Sequence, residues 1–116
     1  MDASNMTVNL ADLDRDNEGF LLDPQDWTVT IAEAIAAEAN QPLSEEHWQI
    51  IGYIRDAFET TEMVPEARKL LRFMKSVWGE EQATRRYLYQ LFPTGYGQTA
   101  CKIAGMRKPL KLMLDV

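Results

Sequence analysis

The strongest secondary-structure signal in the chain is Ser44–Phe58, SEEHWQIIGYIRDAF. Ser44 is a favourable N-cap residue, and Glu45 and Glu46 follow it in the first turn, where negative charge favours the helix dipole. Apolar residues then recur every three or four positions, which is the period of one face of an α-helix. The segment is therefore predicted to be an amphipathic helix whose buried face is Trp48, Ile51, Ile54 and Phe58.

The same kinds of signal predict further helices on both sides of this segment. Asp23 is a good N-cap residue, and Pro24 after it suits the first helical position. Glycine and proline then mark where the other apolar periods begin or stop. The predicted helices are Asp23 to about Asn40, Pro65 to Gly79, about Glu80 to Leu91, and a short helix over Gln98–Ala104 that Gly105 ends.

The N-terminal region is predicted to form a small β-hairpin. Two short apolar segments, Thr7–Leu10 and Gly19–Leu22, flank an acidic, turn-rich stretch, and Gly19 supplies a permissive backbone. The aspartates of that stretch alternate as they do at the start of an EF-hand calcium loop. The sixth and twelfth positions, however, are Asn17 and Asp23 instead of glycine and glutamate, so we expect no calcium site.

The length of 116 residues fits one compact domain. Residues 1–105 are predicted to form a mainly α, small helical domain. Residues 106–116 contain Pro109 and no long helical period, so they are predicted to be a C-terminal arm that is flexible unless something holds it.

Charge and composition exclude several functional classes. The chain carries −6 overall, but residues 1–62 hold 14 acids and 2 bases, and residues 63–116 hold 4 acids and 10 bases. This acidity argues against general DNA binding, which needs a basic face. One cysteine and one histidine exclude an internal disulfide and cysteine-rich zinc sites, and we expect no metal and no cofactor. No segment has the length of a membrane span, so a cytoplasmic protein is expected.

Cys101 is the main candidate for chemistry, because its neighbours in sequence are basic. Lys102, Arg107, Lys108 and Lys111 are expected to contact an anion or a partner protein, and nearby cations lower the pKa of a thiol. The alternative is that Cys101 is a small buried apolar residue. Composition leaves both interpretations open. His47 offers no partner residues for catalysis and is expected to be a packed or capping histidine.

Two motifs near the C-terminus carry a family resemblance. They are Arg86–Gly95, RYLYQLFPTG, and Cys101–Pro109, CKIAGMRKP. Together they resemble the C-terminal signature of the DsrC/TusE family of sulfur-relay proteins, also called dissimilatory sulfite reductase gamma subunits. The resemblance extends over roughly Thr7–Lys111 and includes Asp16–Leu22, Asp26-Trp27, Leu43–Trp48, Arg55-Asp56 and Gly79-Glu80.

The resemblance implies a helical fold with an N-terminal β-hairpin, a helix-turn-helix-like core and a flexible C-terminal arm. Members called DsrC carry two arm cysteines and serve sirohaem sulfite reductase as a sulfur-carrying substrate or product. Members called TusE keep the cysteine near the C-terminus and pass persulfide sulfur towards 2-thiouridine in tRNA. The expected partners are therefore sulfur-relay or sulfite-reductase-type proteins that bind through the arm.

This sequence departs from the family pattern at the arm. Cys101 matches the upstream arm cysteine, whereas the position of the near-terminal cysteine is Leu112, and Arg107 replaces the usual proline. Three interpretations follow. Cys101 alone carries a persulfide as a sulfurtransferase-type carrier that is not a stand-alone catalyst, or the chain is a non-carrier regulatory or docking protein, or it binds nucleic acid through its helix-turn-helix-like core.

Overall fold

The computed structural model describes residues 10–109. Lys111, most of the predicted arm and most of the predicted segment Thr7–Leu10 lie outside this range. The centre of the fold is the helix α2, Glu45–Thr61, which confirms the main prediction from sequence. Ile50, Ile51 and Ile54 of α2 are fully buried in the core. Two residues of the predicted buried face, Trp48 and Phe58, are only half-buried at its edge.

His47 ties the start of α2 to the end of another helix. Its Nδ1 accepts a hydrogen bond of 3.0 Å from the Ser44 backbone N–H, which completes a capping box. Its Nε2 lies 2.7 Å from the Leu91 carbonyl oxygen. Because a carbonyl can only accept, Nε2 carries the proton and Nδ1 is the acceptor. The prediction of a packed, capping histidine is confirmed.

The N-cap of the first α-helix is Thr28, five residues after the predicted N-cap Asp23. Asp23 and Pro24 start only a separate 3-10 turn, Pro24–Asp26, after which Trp27 is extended. The helix α1 is Val29–Glu38, and the Thr28 hydroxyl caps it by accepting the Ile31 N–H at 3.1 Å. The predicted start was wrong because an extended Trp27 sends its indole away from the helix to a distant carbonyl, described below.

The next two helices also begin later than predicted. The helix α3 is Ala67–Trp78, and the carbonyl of Pro65 before it accepts the Tyr96 hydroxyl instead of a helical N–H. The helix α4 is Arg85–Leu91, which follows a separate 3-10 turn at Glu80–Gln82. Local capping decides this start, since the hydroxyl of the residue before Arg85 accepts an N–H of the first turn.

The predicted N-terminal β-hairpin is wrong. Residues 10–109 contain no strand, and one isolated antiparallel bridge joins Arg15 and Leu21. Two backbone hydrogen bonds flank the bridge, from the Asp16 N–H to the Phe20 carbonyl at 2.8 Å and from the Leu22 N–H to the Asp14 carbonyl at 3.0 Å, and the pairing extends no further. Side chains close the turn, because Asp16 Oδ1 accepts a hydrogen bond from the Phe20 N–H and Arg15 Nε donates to the Gly19 carbonyl, both at 2.9 Å. Gly19 has a φ of +95°, so the predicted glycine turn is present without the strands.

The C-terminal part of the described chain lies inside the core. A π-helical turn, Tyr96–Ala100, continues into a single α-helical turn, α5, Cys101–Ile103, which packs against α1 and α2. Met106, in the predicted arm, is fully buried. The division into a domain of residues 1–105 and an arm of residues 106–116 stays a prediction. None of the helices within residues 10–109 is long and apolar enough to cross a bilayer.

Candidate functional site

Cys101 is enclosed by the body of the protein. Its side chain is fully buried, and so are those of its apolar neighbours Ala100, Ile103, Ala104 and Met106. The backbone N–H of Cys101 donates to the Tyr96 carbonyl, which is the i to i+5 bond of the π-helical turn. The chain therefore offers no surface thiol in this conformation.

Burial raises the pKa of the Cys101 thiol to about 12, because an apolar environment penalises the thiolate. A side-chain hydrogen bond with Tyr96 acts in the opposite direction and is the smaller effect. The Tyr96 hydroxyl has one proton, however, and donates it to the Pro65 carbonyl. Its oxygen is then an acceptor for the Cys101 S–H, an arrangement that keeps the proton on sulfur.

The predicted cations do not surround the thiol. Lys102 Nζ lies 5.0 Å from the centre of the Phe20 ring, and Lys108 forms an ion pair with Glu18. Arg107 is exposed to solvent. The expectation that these cations lower the pKa of Cys101 is wrong for the described ones, because burial dominates and their charges are engaged elsewhere or in water. Their role as contacts for an anion or a partner stays a prediction.

The raised pKa of Cys101 predicts a loss of stability at high pH. The folded thiol holds its proton up to a pKa of about 12, whereas the unfolded thiol, at its ordinary value near 9.0, loses it earlier. The stability contributed by this difference is complete below pH 9 and falls by about 1.4 kcal/mol per pH unit between pH 9 and 12.

Urea unfolding as a function of pH measures this loss, with Cys101→Ala as the matched control. Tyr96 is raised in pKa as well, chiefly by burial, and contributes to both proteins. Cys101 adds to the raised pKa of Tyr96, so the slopes are compared between pH 9 and the ordinary tyrosine pKa of 10.0, where their difference isolates the thiol. Parallel slopes for the two proteins would contradict the buried, protonated thiol.

Sequence reasoning missed the residues that hold Cys101. Tyr96 is five positions upstream, and that spacing does not put two side chains on one face of an α-helix, so only a π-helical turn brings them together. Trp27 and Arg55, from other parts of the chain, donate hydrogen bonds to the carbonyls of Ile103 and Ala104, two and three residues after the thiol. The one sequence signal for Arg55 and Trp27 was that both belong to the motifs that resemble the DsrC/TusE family.

No group of three or more side chains suited to a metal ion occurs within residues 10–109. Fold and site together define a small helical protein that encloses a single thiol beside its C-terminal segment. A family model described as DsrC like protein matches residues 7–113. The chain belongs to the DsrC family.

Individual relatives agree with this assignment. The sulfurtransferase TusE of Salmonella typhimurium strain LT2 is 39% identical over 100 residues, which cover 86% of this chain and 92% of that protein. The oxidized gamma subunit of the dissimilatory sulfite reductase, DsrC, from Archaeoglobus fulgidus has a TM-score of 0.77 at 38% identity, covering 84% of this chain and 89% of its own. Allochromatium vinosum DsrC has a TM-score of 0.74 at 38% identity, covering 83% and 86%. This chain is a DsrC/TusE-like sulfur-relay protein.

Proposed function

We propose that this chain is a cytoplasmic docking protein of a sulfur-relay system. In the conformation with Cys101 buried, it binds a relay partner and does not carry sulfur on that thiol. The observation that carries the proposal is the complete burial of the thiol with its pKa raised to about 12. Thiolate is the nucleophile in sulfur transfer, and burial in apolar surroundings makes a thiol inert. Leu112, which stands at the position of the family's near-terminal cysteine, has no nucleophilic atom.

The arm is the proposed contact with that partner. Lys108 and Pro109, where the described chain ends, line a cavity of about 530 Å³ that opens to solvent beside Leu88, Tyr89 and Tyr96. The residues that follow are strongly apolar in sequence, and Arg107 is exposed at the root of the arm. The proposed partner is a sulfur-relay or sulfite-reductase-type protein with an apolar groove that binds the arm. Acidic residues at the rim of that groove would complement the basic start of the arm.

Persulfide carriage by Cys101 is the second candidate, and the Tyr96 hydroxyl favours it. If a partner displaced the covering segment, this hydroxyl could leave Pro65 and donate to a thiolate, which would lower the pKa of Cys101. The thiolate would then attack the outer sulfur of a donor persulfide, form a Cys101 persulfide and release the donor as its thiolate. Nucleic-acid binding has less support, because residues 1–62 are strongly acidic, and it stays a prediction.

Sulfur loading of the reduced, full-length chain distinguishes the two candidates. We expect incubation with sulfide and a small-molecule persulfide donor to leave the intact mass of the folded protein unchanged, because the thiol is enclosed and protonated. The same treatment in urea should add about 32 Da for each sulfur bound. Cys101→Ser is the matched control and should gain nothing in either condition.

Loading of the folded protein that is lost in Cys101→Ser would overturn the proposal and establish the carrier. Absence of loading in urea as well would point to an ineffective donor, so the unfolded wild-type protein serves as the internal standard. Sulfur loading that appears only after a relay partner is added would support the second candidate, in which partner binding exposes Cys101 as a persulfide carrier.

A further inference from the structure

Arg55 joins two segments that are far apart in the sequence. It lies in the middle of α2, and its guanidinium donates to the Ala104 carbonyl through Nη1 at 2.9 Å and to the Pro24 carbonyl through Nη2 at 3.1 Å. The side chain is half-buried. A guanidinium is a rigid, permanently charged fork, so its two hydrogen bonds fix both carbonyls in one geometry.

Trp27 adds a second connection to the same place. Its Nε1 donates to the Ile103 carbonyl at 2.7 Å, and the Arg55 guanidinium carbon lies 4.4 Å from the centre of the indole ring. Gly105, two residues after Ile103, packs directly against the indole. Arg55 and Trp27 are therefore one unit, stabilised by a cation–π contact and bonded to two consecutive carbonyls.

The carbonyls of Ile103 and Ala104 are the two at the end of α5 that receive no backbone hydrogen bond from within residues 10–109. The last four carbonyls of a helix have no helical partner. At α5, the Met106 N–H donates to Cys101 and the Gly105 N–H donates to Lys102, each at 3.0 Å, which is the pattern of a Schellman motif. The remaining two carbonyls, those of Ile103 and Ala104, receive the indole and guanidinium donors described above. Side chains from elsewhere in the fold thus complete the cap of the turn that carries the thiol.

We propose that Arg55 and Trp27 form a latch that holds the Cys101 turn closed, so that the thiol reaches solvent by local release of the segment 101–106 from this latch. Release of that segment does not require α1, α2, α3 or α4 to unfold. Arg55 remains on α2, and Trp27 remains in the segment before α1. They are positioning residues that act through the helix cap. The latch operates whether Cys101 carries sulfur or serves packing alone, so it does not rest on the proposed function.

The test is the rate at which iodoacetamide alkylates Cys101 in the folded full-length chain, followed by intact mass. Cys101 is the single cysteine, so every added group reports on it. When reclosing is faster than alkylation, the rate follows the population of the open form. Arg55→Lys keeps the charge but loses the fork, and Trp27→Phe keeps the ring but loses the N–H. Each is expected to raise the rate about tenfold or more, since a weakened bond to a charged or buried donor shifts the opening equilibrium by that much.

Two control variants separate local release from general loss of stability. Ile50→Val removes one methyl group from the fully buried face of α2, and Arg72→Lys changes an exposed arginine on α3. Both should leave the alkylation rate within about twofold of the wild-type rate, because neither touches the latch. The wild-type rate should also depend less steeply on urea at low concentration than global unfolding does, since release of one segment exposes only part of the surface that unfolding exposes.

Two results would overturn the latch. One is an unchanged rate in Arg55→Lys and Trp27→Phe. The other is a set of rates that follow the global stability of every variant, Ile50→Val included, with a steep urea dependence in the wild type. That second pattern would show that Cys101 is reached only through unfolding of the whole domain.

Discussion

Replacing Gly105 with alanine is expected to lower the free energy of unfolding by about 3 kcal/mol. Gly105 has a φ of +79°, a conformation that alanine adopts only at a cost. A Cβ at this position would also lie 2.7 Å from Cγ of Trp27, so the indole would have to move. That movement would break the hydrogen bond from Trp27 to the Ile103 carbonyl. Urea unfolding followed by circular dichroism measures the change.

Gly52→Ala is the matched control for this prediction. Gly52 lies within α2 with no atom within 4 Å of an added Cβ. Alanine there should raise the free energy of unfolding by about 0.5–1 kcal/mol, because glycine is a poor residue for a helix interior. A Gly105→Ala protein as stable as the wild type would contradict the packing of the C-terminal segment against Trp27.

Replacing His47 with leucine is expected to cost about 2–3 kcal/mol of folding free energy. The substitution removes the acceptor for the Ser44 N–H and one of the two donors to the Leu91 carbonyl, whose other donor is Gln41. It also removes the edge-on contact of the imidazole with Phe92. Leucine fills a similar volume, so the loss reports mainly on hydrogen bonds. Thermal or urea unfolding measures it.

His47→Gln is the informative comparison. Glutamine at the third position of a helix is a normal capping-box residue and can accept the Ser44 N–H, but it does not reproduce the bond to Leu91. We expect its free energy of unfolding to fall between those of the wild type and His47→Leu. Equal stability of all three proteins would mean that neither end of the imidazole contributes to the fold.

The central helix was predictable because its signals are local. The N-cap Ser44, the acids after it and the repeat of apolar residues lie within one segment, and α2 forms as expected. The starts of the other helices were less predictable. Asp23 and Thr28 are both good caps, and the choice between them depends on the indole of Trp27, which bonds to a carbonyl 76 residues away.

The N-terminal hairpin failed for a related physical reason. Two apolar segments around a glycine turn form strands only if their backbone pairing extends beyond the single bridge that joins Arg15 and Leu21. Here Phe20 and Leu21 are both buried, although neighbouring residues of a strand face opposite sides, and Asp16 takes the N–H of Phe20. Packing of consecutive residues into one core overrode the strand pattern.

The sequence by itself determined a mainly helical chain of the DsrC/TusE type with a single thiol and no second cysteine in its arm. The tertiary structure decided the state of that thiol. Lys102 lies over the Phe20 ring and Lys108 pairs with Glu18, both away from the thiol. Tyr96, Arg55 and Trp27 instead hold the turn that carries Cys101. The physical reason is that burial and helix capping depend on contacts between distant residues. Sequence neighbours of a thiol raise its reactivity only where the fold leaves them beside it in space.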